Sequence, residues 1–108
     1  MKENFNPKTF ENLDAKIIFM QNGDEKTWNE TITNINDRGV YIGKAGFMPF
    51  AGSTVGIMAI HESETDKLLY RNDRVSDAYR NGQVKALSQI SVEDTRDLIR
   101  DNGTFYDN

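Results

Sequence analysis

The chain has no cysteine, which excludes disulfides, zinc–thiolate sites and thiol catalysis and favours a reducing setting. It has a single histidine, His61, so a histidine-based metal site or triad would have to be built from carboxylates around one ring. At the end of a strand-like run, beside Glu62, Glu64 and Asp66, His61 reads as a surface residue. Nowhere do about 18 apolar residues run together, and Met1-Lys2-Glu3-Asn4 leads into polar sequence, so neither a spanning helix nor a signal segment is expected. The expected setting is soluble and cytoplasmic. Positive charge is in short supply: 13 lysines and arginines against 17 acids leave a net charge of -4. That balance argues against broad contact with duplex nucleic acid while leaving room for a small phosphate pocket. No glycine-rich loop follows a strand and opens a helix, so the common nucleotide signatures are missing. Neither the acids at 62, 64 and 66 nor Asp101-Asn102-Gly103 continues into calcium-loop spacing. No catalysis, cofactor or metal is expected.

What is present is β-patterned. At 108 residues the chain makes one domain with a modest core. Residues 1–13 read as an N-terminal arm with Phe5, Phe10 and Leu13 available for docking, and residues 103–108 as a tail in which Phe105 and Tyr106 could dock. Ala15 to Met20 is the first expected strand. Asn22-Gly23 is a hairpin signal, and Thr27 to Ile35 is the return strand, with a bulge or twist near Glu30 because Ile35 breaks the parity of Trp28 and Ile32. Asn36-Asp37-Arg38-Gly39 forms the next turn. There Asn36 and Asp37 can bond their own backbone, and Gly39 meets a positive φ or a close backbone approach. Val40-Tyr41-Ile42 resumes a strand.

Gly43 to Ser53 reads as a loop whose Phe47, Met48 and Phe50 fold back over a barrel mouth or meet a partner. A strand over Thr54 to Ile60 follows, then a turn at 62–66. Asn81-Gly82 favours strands over helix for Lys67 to Leu87. Ser91-Val92-Glu93-Asp94 resembles a capping box opening a terminal helix that Asn102-Gly103 closes. Trp28, Tyr41, Phe19 and Phe47 offer stacking surface, with core packing as the competing reading.

Three stretches in this order resemble the PilZ family, bacterial six-stranded β-barrels best known as cyclic di-GMP receptors. Asn34-Ile35-Asn36-Asp37-Arg38-Gly39 is similar to the family's [D/N]-x-[S/A]-x-x-G motif leading into a strand. Ala51-Gly52-Ser53-Thr54-Val55-Gly56-Ile57 is similar to its next strand entry. Gly82 to Leu87, continuing through Ser91 to Leu98, looks like its last strand and helix. The resemblance implies a mainly β fold, a six-stranded PilZ-like barrel with a C-terminal helix over residues 14–102. It also implies a ligand site at Lys8, Asn12, Asn34, Asn36, Arg38 and Gly39.

The family's arginine pair is absent: Lys8 and Asn12 stand where R-x-x-x-R is expected. Arginine's planar fork bonds a base and a phosphate together, whereas lysine is a point charge and asparagine carries none. The expectation is therefore a non-catalytic signalling or adaptor module with cyclic di-GMP binding weak or lost and a protein as its partner. Two alternatives stand beside it. One is a working cyclic di-GMP receptor with a reduced site. The other is a small β-barrel that binds and blocks another protein through Phe47, Met48 and Phe50.

Overall fold

The computed structural model describes residues 6–43, 46–52, 55–73, 75 and 103–106. Among these residues seven antiparallel strands form one sheet: β1 (Leu13–Gln21), β2 (Asp24–Asn36), β3 (Gly39–Ile42), β4 (Gly46–Pro49), β5 (Val55–Glu62), β6 (Leu68–Arg71) and β7 (Thr104–Phe105). Their spatial order is β4-β3-β2-β1-β5-β6-β7. The β1–β2 hairpin turns at Asn22 (φ 51) and Gly23 (φ 88), the paired left-handed residues that the Asn-Gly signal requires. Gln21 pairs with Asp24 and Leu13 with Ile32 across it.

Along β1, Ala15, Ile17 and Phe19 are buried on one face, as period-two alternation demands. They join Phe10, Ile32, Ile35, Val40, Ile42, Phe50, Ile57, Ile60, Tyr70 and Phe105 in the main core. Ile18 and Met20, on the other face of β1, pack with Met58, Ala51 and Val75 in a second, smaller cluster. The irregularity expected near Glu30 lies further along, between Ile32 and Asn34 where β2 meets β3. It lets Ile32 and Ile35, three apart, both turn inward.

The described strands do not close into a six-stranded barrel. The sheet is open, with β4 at one end and β7 at the other. Closure would need β4 to run on into a long ladder, but it is a four-residue strand ending at Pro49, which has no N–H to extend the pairing. The chain crosses to the start of β5 instead. Ile57 N–H donates to the Phe50 carbonyl at 3.0 Å and Gly52 N–H to that of Val55 at 2.7 Å, and Ala51 bridges Gly56.

The supposed arm and loop are also part of the fold. Pro7–Phe10 is a 3-10 turn capped by the Asn6 side chain, and Phe10 is buried edge-on to Phe105 at 5.9 Å. Thr104–Phe105 pairs with β6, so this segment of the tail is a strand. Within Gly43 to Ser53, Gly46–Pro49 is a strand too. The Asn81-Gly82 hairpin, the strand at 83–87 and the helix from Ser91 lie outside the described residues.

Candidate functional site

The turn after β2 is built by one side chain. Asn36 Oδ1 accepts from Arg38 N–H at 2.7 Å and Gly39 N–H at 3.1 Å, an Asx turn that reverses the chain in two residues. Asn34 Oδ1 likewise accepts from Ile35 N–H at 2.8 Å. Both carboxamide oxygens are therefore committed to the local backbone. Asn36 Nδ2 is 3.5 Å from the Tyr41 hydroxyl, a long, weak contact.

Gly39 is required by crowding rather than by a positive φ. Among the described residues the left-handed glycines are Gly23 and Gly46. A β-carbon at residue 39 would run into the Met48 carbonyl oxygen and would lie 2.7 Å from Pro49 Cα and 2.9 Å from Phe47 Cζ. Of the remaining ligand candidates, Lys8 sits exposed on the 3-10 turn, which packs against β2. Asn12 is exposed with φ 52 and serves the left-handed step into β1. Arg38 is exposed. The fold thus sets the carriers of Lys8, Asn34 and Asn36 side by side, while the asparagines spend their acceptors on the chain itself.

The three proposed partner residues separate. Met48 and Phe50 are buried in the core, and of the two only Met48 lines a cleft. Phe47 remains 43% exposed, and Trp28 and Tyr41 are 39% and 42% exposed, so these aromatics are not consumed by core packing. Phe47 and Tyr41 face each other on paired strands with ring centroids 5.0 Å apart, and Trp28 meets Phe19 edge-on at 5.0 Å. Trp28, Phe47, Phe19, Ile42, Met48 and Val55 line an open cleft of about 170 Å³. Small-molecule sites usually need about 300 Å³ or more, so the cleft suits one or two apolar side chains better than a dinucleotide. The sequence pattern missed it because it forms only where short β3 ends and longer β2 runs on.

A second polar group is structural in kind. Lys16 Nζ donates to Asp66 Oδ1 at 2.7 Å, and His61 Nδ1 lies 3.2 Å from the Asp66 carbonyl oxygen and 3.7 Å from Oδ1. The hydrogen bond and charge of Lys16, with a lesser contribution from His61, hold the Asp66 carboxyl below its usual range. The cluster pins the β5–β6 turn, whose Asp66 has φ 58. Among the described residues no group of three or more His, Asp or Glu could hold a metal ion, and no helix is long and apolar enough to cross a membrane.

No known family model matches the chain, and neither a curated protein nor a solved structure matches it.

Proposed function

We propose that the chain is a non-catalytic signalling or adaptor module of PilZ-like motif order that binds a protein, with cyclic di-GMP binding weak or lost. The observation that carries this reading is the ring of Phe47 against Gly39, beside asparagines whose oxygens already accept from the backbone. A base or phosphate arriving there would have to displace an aromatic side chain and unmake the turn. It would gain no forked arginine contacts in return, since Lys8 and Asn12 stand in their place.

The exposed aromatics favour a protein partner. Trp28, Tyr41 and Phe47 are the residue types that dominate binding energy at protein interfaces. Capture experiments from bacterial lysate with wild type and with a Trp28→Ser/Phe47→Ser variant test the reading. The expected result is one protein retained by wild type, whether or not cyclic di-GMP is added, and lost from the folded variant. Retention that depends on added cyclic di-GMP would favour the receptor alternative.

A further inference from the structure

Asparagine is a labile residue, because the amide nitrogen of the residue after it can attack its side-chain carbonyl carbon. That attack is least hindered when the next residue is glycine. Among the described asparagines only Asn22 is followed by glycine. Asn6 precedes Pro7, whose nitrogen carries no hydrogen to lose. Asn34 and Asn36 hold backbone N–H groups with their carboxamide oxygens, Asn29 lies inside the β1–β2 ladder opposite Lys16, and Asn72 is buried. Asn22 is exposed at the tip of the hairpin.

We infer that Asn22-Gly23 is a site of spontaneous deamidation, guarded by the folded turn, and that its isoaspartate product loosens the hairpin end beside the aromatic cleft. The Gly23 amide nitrogen bonds to Asn22 Cγ, and the side-chain nitrogen leaves as ammonia together with the proton from the Gly23 amide. A five-membered imide remains. Water then opens it at either carbonyl. One opening restores the ordinary main-chain linkage as aspartate, and the other routes the main chain through Cβ as isoaspartate. One water is consumed and one ammonia released, with no oxidant or cofactor.

The turn sets the rate. Asn22, with φ 51, lies in the left-handed region, where ψ near +47° places the next nitrogen almost opposite the residue's own β-carbon. Attack therefore waits for the turn to open, and a two-residue hairpin tip opens more readily than the ladder behind it. The product acts on the same geometry. A two-residue loop of this type closes only on ordinary linkages, so an extra main-chain carbon at residue 22 forces the closing pair, Gln21 and Asp24, apart. Gln21 lines the cleft with Phe19 and Trp28, so the disturbance reaches the exposed aromatics directly. Aspartate at residue 22 keeps the spacing.

The test ages the wild-type chain in warm, mildly alkaline buffer, folded and in urea, and maps deamidation by peptide mass spectrometry. Labelling by an isoaspartate methyltransferase separates the two products. In the folded chain residue 22 should convert ahead of Asn29, Asn34, Asn36 and Asn72, and at least about tenfold more slowly than in urea, because the reaction passes through local opening. Trp28, the single tryptophan, reports on the cleft by its fluorescence. Fractions carrying isoaspartate at residue 22 should show shifted emission, whereas Asn22→Asp, which keeps the ordinary linkage, and Asn22→Gly aged alongside should not. An intact residue 22 in the folded chain once the urea sample is fully converted would overturn the inference. So would equal rates at Asn22 and Asn29, or equal rates at Asn22 in the two samples. Unchanged emission in the isoaspartate fractions, or the same drift in aged Asn22→Gly, would overturn the link to the cleft.

Discussion

The ring of Phe47 lies over Gly39, with its Cζ 2.9 Å from where a β-carbon on residue 39 would stand. The other near atoms belong to the β4 backbone at Met48 and Pro49, which cannot swing aside as a side chain can. Gly39→Ala should therefore push β4 from β3 and destabilise the fold by about 1–3 kcal/mol, the usual cost of overpacking. Urea melts measure it. Adding Phe47→Ala should recover little of the loss; full recovery would mean that the ring alone was the obstacle.

The β1–β2 turn gives a second expectation of a different kind. Gly23 has φ 88, a region that side-chain-bearing residues adopt at a cost of order 1–3 kcal/mol. Gly23→Val should lower the unfolding free energy measured by urea melts by that amount, whereas Asn22→Gly, which keeps the left-handed conformation accessible, should stay within about 1 kcal/mol of wild type.

Tyr70 gives stability an alkaline limit. Its phenol is buried beneath Phe50 and Phe105, and burial pushes its pKa up to about 12 against the weaker opposing effect of the Asn72 hydrogen bond. A folded-state pKa raised above that of the unfolded chain leaves stability whole below about pH 10. It is lost as pH rises toward 12, by up to about 3 kcal/mol at roughly 1.4 kcal/mol per unit. In Tyr70→Phe, melts between neutral pH and pH 11 should lose this slope. An unchanged slope would assign the alkaline loss elsewhere.

The β5–β6 turn has the opposite sign. Asp66 is held below the usual carboxylate range chiefly by Lys16. The contribution of this pair is present above the ordinary carboxylate pKa and is lost as pH falls through the depressed value. Because both groups face solvent, the effect on global stability is small and salt-sensitive. NMR titration should find the Asp66 pKa rising toward the ordinary range in Lys16→Met; no change would leave the pair without influence on the turn.

Local chemistry was legible in the residues, and longer-range geometry was not. Asn22-Gly23 announced its hairpin and Asn36 its Asx turn, because each signal resides in two to four neighbouring residues, while at Gly39 the pattern left a positive φ and a close approach equally open. Strand β4 was hidden by its glycine and proline, which read as a loop, although Met48 pairs with Val40 in the ladder. Phe105 could be seen to dock but not to pair with Tyr70. Of the candidate site, the motif around Asn34 to Gly39 was readable, while the cleft at Trp28 depends on β2 outrunning β3, a difference in strand length that no local pattern encodes.

Calorimetric titration of the wild-type chain with cyclic di-GMP tests the central claim most directly. With Phe47 covering Gly39 and no arginine fork, the expected result is no saturable heat up to about 1 mM ligand, the concentration corresponding to a binding free energy of roughly -4 kcal/mol. A stoichiometric isotherm in the micromolar range that disappears in Arg38→Ala or Asn36→Ala would contradict it and make the reduced site a working receptor.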